Sequence, residues 1–299
     1  MIITLQMINE YLKECREIKL LDAKTVKAYR IDLRQFMKYA AVQNVELDRD
    51  AINDYLKYMN AKYKPSTVKR KIASLRALCT YLEEKEEESD NPFIRFHLKL
   101  NEPEVLPKTI AFRIIKELID AVHQQHRKKQ SCVRDAAVLE MLFATGVRVS
   151  ELCELQTENV NLLDGIIKVN GKGKRERLIH IANREVLETL RQYVQTYQPD
   201  KKGSFFLNRH MRQLSTQSVR NMICKYVDKI GLSTRITPHM FRHSLATLLL
   251  EEGVDIRYIQ RLLGHSSILT TEIYTHVDTS KQREIMSTKH PRNKISVFA

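Results

Sequence analysis

Apolar residues recur every three or four positions along much of the first part of the chain. In the clearest segment, basic residues such as Arg30 and Arg34 fill the positions between them. The apolar members of that segment are Val26, Tyr29, Leu33, Phe36, Met37 and Ala40. This period predicts a helix with one buried face.

The same period returns behind Pro65-Ser66, which is a favourable helix start. Its apolar members are Val68, Ile72, Leu75, Cys79 and Leu82. Shorter helices are predicted at residues 4–18 and 48–60. We therefore expect an all-helical first domain over residues 1–90.

An acidic run, EEKEEESDNP, ends this helical region, and Pro92, Pro103 and Pro107 follow it. Neither the helical nor the strand period is sustained there, which is typical of a linker. We place the linker at residues 91–107 and a second domain at residues 108–299.

The second domain begins with patterns that predict helices at residues 110–125 and 132–144, and later at 183–197 and 215–230. Between the two pairs, GIIKVNGKGKRERLIHIA alternates apolar and polar positions around a glycine-rich turn, which predicts a β-hairpin. The expected fold class is mainly α, with a small antiparallel β-sheet in the second domain.

The stretch from residue 235 to residue 275 carries most of the candidate chemistry. Thr237 and Pro238 predict a helix start, since threonine caps free N–H groups and proline is tolerated at the first position. Gly253 predicts its end. His239 and Arg242 are three residues apart, so they lie on one face of that helix.

A second short helix, at residues 255–263, is predicted to close at Gly264 and to present His265 at a turn. A third predicted helix begins near residues 267–271 and carries Tyr274. Histidine moves protons near neutral pH, arginine pairs with phosphate oxygens, and tyrosine becomes a nucleophile where cations and a base surround it. Together they suit attack on a phosphodiester, although any one of them alone is more often an ordinary packed or surface residue.

Other candidate residues precede this stretch. Arg148 in ATGVRVSEL stands at the mouth of a short helix that Ser150 is expected to cap, and helix starts favour anions. Glu151, one turn on, is placed to hold that arginine. The hairpin tip carries Lys172 and Lys174, and a lysine there can reach a phosphate or a leaving oxygen, although an exposed hairpin lysine is usually only solubilising.

Composition favours a polyanionic partner. Lys plus Arg outnumber Asp plus Glu by 50 to 36, and the pI is near 9.5. Nucleic acid is the first expectation and an anionic membrane surface the second. Basic residues in and just before the fourth helix suit phosphates or a major groove, whereas a solvated face is the ordinary explanation of such a run. They are Lys62, Lys64, Lys69, Arg70, Lys71 and Arg76.

No apolar run approaches the roughly 18 residues that span a bilayer. The first residues lack the basic-then-apolar plan of a secretory signal. The five cysteines are scattered and never form a CxxC pair, so we interpret them as reduced thiols and not as disulfides or metal ligands. We expect a cytoplasmic protein that does not act at a membrane.

These motifs resemble those of the tyrosine recombinases, the phage integrase superfamily, and their size and spacing are most similar to the Xer-type members. The resemblance covers nearly the whole chain and implies a SAM-like core-binding domain followed by an α+β catalytic domain. ATGVRVSEL, HMFRH and LGH match family motifs. The implied catalytic residues are Arg148, Lys172, His239, Arg242, His265 and the nucleophile Tyr274. Lys174 remains the alternative to Lys172, and Glu151 has a supporting part.

The resemblance implies a site-specific recombinase that cuts and rejoins DNA. Tyr274 would form a 3′-phosphotyrosyl link, Arg148 and Arg242 would bind the non-bridging oxygens, and Lys172 would protonate the leaving 5′-oxygen. His265 would donate to the phosphate, and His239 would accept the tyrosine proton or donate as well. No cofactor and no metal are expected, because cations surround the phosphate and no carboxylate cluster is available to bind Mg²⁺.

The resemblance also implies an assembly on DNA. Two protomers would bind inverted half-sites of double-stranded DNA, form a tetramer in synapsis and exchange strands through a Holliday junction, with or without a second recombinase or accessory protein. A short helix at residues 278–288, a proline break and an apolar end with Ile295, Val297 and Phe298 would form a tail that docks on a neighbouring protomer. A frayed terminus is the commonplace alternative.

Other functions stay open from the sequence. A type IB topoisomerase shares the tyrosine chemistry, and a DNA-binding factor could keep the fold without catalysis. An RNA-binding role is weaker, because no aromatic platform stands out and tryptophan is absent. Chromosome-dimer resolution and the integration or excision of a mobile element fit the chemistry equally.

Overall fold

The computed structural model divides the chain into two compact units, Met1–Val105 and Leu106–Ala299. The residues that it describes are 2–85, 91–94, 96, 108–124, 130–171, 176–264 and 279–297. Most of the predicted linker, residues 91–107, therefore lies outside the described residues.

Within its described residues, the first unit is built from helices at the predicted places. They are α1 (Leu5–Glu17), α2 (Ala23–Gln43), α3 (Arg49–Asn60) and α4 (Pro65–Lys85). The side chains of Thr4 and Asp48 accept backbone N–H groups at the starts of α1 and α3. Phe36 of α2 meets Tyr55 of α3 edge to face in the core, with ring centroids 5.0 Å apart.

The second unit is mainly helical with a small sheet, as the hydrophobic pattern predicts. Its described helices are α5 (Phe112–His123), α6 (Gln130–Thr145), α7 (Val149–Glu154), α8 (Arg184–Tyr197), α9 (Thr216–Lys229), α10 (Pro238–Glu251), α11 (Ile256–Leu263) and α12 (Thr279–Thr288). Short 3₁₀ turns cover Thr157–Asn159 and Pro291–Lys294. None of the helices described combines the length and the apolar character needed to span a bilayer.

The sheet of the second unit has the antiparallel order β1-β2-β3, formed by Val160–Asn161, Ile166–Asn170 and Glu176–His180. The predicted hairpin is confirmed, with Lys168 opposite Leu178. Strand β1 was not predicted, because two residues are too few to show an alternation.

Helix α6 forms the centre of the second unit. Nearly all of its residues are buried, and it packs against α5, α8 and α10. Two of its buried residues are acidic, Asp135 and Glu140. Because α6 is enclosed on all sides, its C-terminal end is a rigid base for the turn that follows it.

All five cysteines lie within described parts of the chain and are unbridged, as predicted. Four of them are buried, and Cys224 is exposed.

The chain after α12 packs on its own unit. Pro291 begins a 3₁₀ turn, where the sequence predicted only a break, and the fully buried Arg292 follows it. Ile295 is buried and Val297 half-buried against the core of the same chain. Two of the three apolar residues that suggested docking on a neighbour are thus used within the protomer, and Phe298 lies outside the described residues.

His290 belongs to the same buried region. Its ring meets Phe143 of α6 edge to face at 5.9 Å, and its Nδ1 accepts the backbone N–H of Arg292 at 3.0 Å. Burial, and then the charge of Arg292, lower the pKa of His290 to about 3. The ring is therefore neutral near physiological pH and acts as a packing residue.

Candidate active site

Arg148 reaches the site through a turn at the end of α6. Gly146 has φ +60, and a Cβ there would lie 2.6 Å from the side chain of Leu263 and 2.9 Å from that of Leu245. Only glycine tolerates both the backbone conformation and the close approach. The turn therefore packs against α10 and α11 and leads into α7, which begins directly after Arg148.

The start of α7 differs in detail from the prediction. Arg148 itself occupies the N-cap position, and Ser150 lies inside the first turn instead of capping the helix. Glu151 accepts the backbone N–H of Arg148 with Oε2 at 2.8 Å and its guanidinium Nη1 with Oε1 at 2.8 Å. The predicted contact between Arg148 and Glu151 is thus present, through both backbone and side chain.

The Arg148 side chain is 34% exposed, whereas that of Glu151 is only 6% exposed. Arg148 Nη2 also donates to the carbonyl of Gly264 at 3.2 Å. Gly264 closes α11 in the left-handed conformation, as predicted, with φ +66. The guanidinium therefore lies between the start of α7 and the end of α11 and still reaches solvent.

Arg242 lies deeper, on the buried side of α10. Its guanidinium donates to the carbonyl of Gly146 at 2.8 Å and to that of Leu263. Burial, and then the nearby charge of Arg148, lower the pKa of Arg242 to about 10. The residue remains cationic near neutral pH, and the two arginines form one positive centre at the end of α11.

His239 stands one turn before Arg242, on the exposed part of α10. Partial desolvation, and then the charges of His243 and of the nearby arginines, lower its pKa below the ordinary value. The imidazole is therefore neutral near physiological pH and able to accept a proton. Thr237 occupies the N-cap of α10, but its side chain makes no capping hydrogen bond, contrary to the prediction.

Arg177 of β3 also belongs to this site, although the sequence did not identify it. Its guanidinium donates to both oxygens of Glu151, at 3.1 and 2.7 Å, and to the carbonyl of Leu262 at 3.1 Å. In the sequence it is one of several basic residues in GKGKRER, so nothing distinguished it.

Glu151 is the carboxylate that these arginines share. Burial alone would raise its pKa, but the hydrogen bonds from Arg177 and Arg148 outweigh burial and hold the pKa below the ordinary value. The carboxylate is therefore ionised near neutral pH. It balances part of the positive charge and fixes the direction of the arginine forks.

The structure thus brings together Arg148, Glu151 and Arg242, with His239 near enough for the arginine charges to lower its pKa. The other predicted catalytic residues lie outside the described residues. They are Lys172, its alternative Lys174, His265 and Tyr274. A guanidinium has five N–H donors. Within the described residues, Arg148 and Arg242 each use two of these donors, which leaves further donors for an anion.

The basic cluster of the first unit divides into exposed and internal residues. Lys64 and Lys69 are exposed, and Lys62 is exposed as well, with its ammonium 2.8 Å from the hydroxyl of Tyr58 and 4.1 Å from the centre of its ring. These three lysines lie at the start of α4 and just before it. They form a positive surface open to solvent.

The remaining members make contacts within the unit, and of these only Lys71 is buried. Lys71 is buried and donates to Asp32 of α2 at 2.9 Å, and Arg70 pairs with the same carboxylate. Arg76 is exposed, but it donates to the carbonyl of Phe96 at 2.8 Å. A buried ammonium that is already neutralised has no free path to a phosphate, so we assign Lys71 to the fold and not to the basic surface.

Comparison with known families identifies both parts of the chain. The profile described as "Phage integrase family" matches residues 108–281, and that of "Phage integrase, N-terminal SAM-like domain" matches residues 8–86.

Related proteins match over nearly the full length. A tyrosine recombinase of Agathobacter rectalis is 45% identical over 294 residues, covering 95% of this chain and 96% of that protein. Tyrosine recombinase XerD of Staphylococcus saprophyticus is 35% identical over 301 residues, covering 96% of this chain and 99% of that protein. The chain therefore belongs to the phage integrase family, and its activity is that of a tyrosine recombinase, a site-specific DNA strand transferase.

Solved structures share the fold. The pre-cleavage complex of XerH with its difH substrate has a TM-score of 0.72 at 20% identity and covers 96% of this chain and 85% of that one. A lambda integrase dimer bound to a COC′ core site has a TM-score of 0.67 at 19% identity and covers 91% of this chain and 100% of that one. At such identities the likeness concerns the fold alone.

Proposed function

We propose that this chain recombines DNA through a 3′-phosphotyrosyl intermediate on Tyr274 and a Holliday junction. The observation that carries the proposal is the pair Arg148 and Arg242, which meet at the end of α11 directly before His265. Two adjacent guanidinium groups with unused donors suit a phosphodiester whose non-bridging oxygens gain charge in the transition state.

Each remaining catalytic residue has a role in this proposal. Tyr274 attacks the phosphorus and displaces the 5′-oxygen of the next nucleotide, which Lys172 protonates, with Lys174 as the alternative. His239 accepts the proton of the tyrosine or donates to the phosphate, and His265 donates to the phosphate. One phosphodiester is exchanged for another of similar energy, so the reaction proceeds without ATP, and we propose no metal or cofactor.

The proposed substrate is double-stranded DNA with inverted half-sites. Lys62, Lys64 and Lys69 are exposed together and suit contacts to phosphates, and Arg70 and Arg76 are exposed beside them. Among the solved relatives, lambda integrase is recorded as a dimer on a core site and as a tetramer on a Holliday junction. We propose the same two assemblies for this chain, in the cytoplasm, with the residues after Val297 in contact with a neighbouring protomer.

Two biological roles fit this chemistry: resolution of chromosome dimers, and integration and excision of a mobile element. We propose that this chain acts in one of these two roles, which share the same chemistry. A second recombinase or an accessory protein would act at the level of the assembly, because the chain itself supplies the full catalytic set of the family motifs.

The test is a capture of covalent protein–DNA adducts from cells under denaturing conditions, with EDTA present and the attached DNA sequenced. We expect adducts at a defined sequence, with the protein on a 3′-phosphate. Incubation of that sequence on two plasmids should then give joined products, which a topoisomerase would not make. Binding of the protein to DNA in the same cells without any covalent adduct would contradict the proposal.

The salt dependence of binding tests the phosphate contacts. A protein that makes roughly 6–10 such contacts loses about 10³- to 10⁵-fold in affinity between about 50 and 200 mM salt. We expect a loss of affinity in this range, measured by titration of the recovered site. Lys69→Gln should make the slope of log affinity against log salt concentration shallower by about 0.9 per lost phosphate contact. Lys13→Gln, which removes an exposed charge from α1, is the matched control. A flat salt dependence would argue against the basic surface.

Arg148→Ala is expected to slow strand cleavage by about 10²- to 10³-fold, since a donor to the developing charge is lost. Single-turnover formation of the adduct measures the rate. Arg113→Ala, a change of a highly exposed arginine on α5, is the control and should cleave normally. Cleavage by Arg148→Ala at the rate of this control would remove Arg148 from the mechanism.

A further inference from the structure

Three arginines bind three successive carbonyl groups at the end of α11. Arg177 donates to Leu262, Arg242 to Leu263 and Arg148 to Gly264. The last carbonyls of a helix have no partners within the helix, and its C-terminal end carries partial negative charge. Cations placed there satisfy both needs. The end of α11 is therefore the point where the proposed phosphate-binding arginines are held.

Arg177 differs from the other two arginines in what it faces. Its side chain is only 12% exposed, and it contacts Glu151 and the backbone of α11. A Cβ on Gly264 would lie 3.2 Å from the Arg177 side chain, so the glycine packs directly on it. The Arg177 side chain is thus far less open to solvent than that of Arg148, which is 34% exposed.

The contacts of Arg177 reach Arg148 by two routes. One passes through Glu151, whose two oxygens it binds while the same carboxylate binds the backbone and guanidinium of Arg148. The other passes through the last turn of α11, whose final carbonyl receives Arg148 Nη2. A carboxylate held by a bidentate arginine has little freedom to turn. Without Arg177, Glu151 would be left nearly buried with a single cationic partner.

We propose that Arg177 is a positioning residue for strand cleavage. It holds Arg148 in the orientation that binds the phosphate. This inference rests on the proposed function of Arg148. Arg177 makes no contact with DNA in this proposal and acts through Glu151 and the end of α11. Lysine cannot replace it fully, because one ammonium cannot serve both carboxylate oxygens and the Leu262 carbonyl in a planar fork.

The test compares Arg177→Met, Arg177→Lys and wild type in single-turnover cleavage of the DNA site recovered by adduct capture. We expect Arg177→Met to slow cleavage by roughly 10- to 100-fold, since a displacement of about 1 Å costs on the order of 10²-fold. Arg177→Lys should fall between Arg177→Met and wild type, and DNA affinity should stay unchanged. Lys168→Met is the matched control, because it removes a partly exposed cation paired with Glu176 from the same hairpin.

A double-mutant cycle separates positioning from a general loss of structure. If Arg177 acts through Arg148, then Arg177→Met should slow cleavage little further in the Arg148→Ala background. A structural defect would instead multiply the two losses, and that result would overturn the proposal. Cleavage by Arg177→Met at the wild-type rate would overturn it as well.

A second variant guards against poor folding of Arg177→Met. Glu151→Gln keeps the shape of the side chain but loses the charge that both arginines share. We expect the same slowing and the same lack of additivity with Arg148→Ala. Independent losses in this cycle would also overturn the proposal. Failure of the proposed function shows differently, as absence of any adduct with the wild type.

Discussion

Replacing Tyr274 by phenylalanine is expected to abolish the covalent protein–DNA adduct and to leave DNA binding unchanged. The change removes only the phenolic oxygen, which is the proposed attacking atom, and no charge is altered on the DNA-binding surface. The measurement pairs denaturing capture of the adduct with a binding titration on the same DNA. Loss of the nucleophile leaves no alternative route to a phosphotyrosyl bond, so the effect should be complete.

The control for this variant is Tyr258→Phe. Tyr258 lies on α11, close in sequence to the proposed catalytic segment, and its ring packs near Arg261. Loss of its hydroxyl should leave the adduct yield near that of the wild type. An adduct that persists in Tyr274→Phe would remove Tyr274 as the nucleophile.

Helix positions followed directly from the sequence, because burial of one face imposes a period that is visible along the chain. The pattern of Val26, Leu33 and Phe36 placed the buried side of α2 correctly. Gly264 was likewise recognised, since a helix often closes at a glycine in the left-handed conformation. The contact of Arg148 with Glu151 was visible because the two residues are one helical turn apart.

Contacts between distant segments were not visible in this way. Arg177 meets Glu151 across 26 positions of sequence, and no local period reports such a pair. Lys71 is a different case, because a signal existed: Val68 and Leu75 flank it at helical spacing, which places it on the buried side of α4. A count of basic residues in a segment ignores that spacing and therefore overestimates the exposed positive surface.

Glu140 carried a similar signal. It is an isolated acidic residue within the apolar sequence AAVLEMLFAT of α6, which indicates a buried charge. Such a charge needs a partner, which the local sequence does not identify. The structure supplies that partner 152 positions away: Arg292 donates from Nε and Nη2 to the two oxygens of Glu140, at 2.6 and 2.7 Å. His123 contacts the same carboxylate at 2.8 Å.

Arg292→Met is expected to destabilise the second unit by about 3–5 kcal/mol, because it leaves the fully buried Glu140 without its main cation. Such a loss is a large share of the 5–15 kcal/mol that is typical of a folded protein. Burial alone would raise the pKa of Glu140, but its hydrogen bonds to Arg292 and His123 hold the pKa below the ordinary value, so the carboxylate is ionised near neutral pH. Urea unfolding of the full chain, with hydrogen exchange of the α6 peptide to assign the transition, measures the change.

Lys294→Met provides the matched control. Lys294 lies in the same 3₁₀ turn, but its side chain is more than half exposed and pairs with Glu252. An exposed pair contributes about 0–1 kcal/mol, so this variant should unfold nearly as the wild type does. The double variant Glu140→Leu with Arg292→Met removes both charges and should recover much of the loss, because the cost comes from an unpaired buried charge. Equal effects of Arg292→Met and Lys294→Met would show that the buried pair does not anchor the end of the chain.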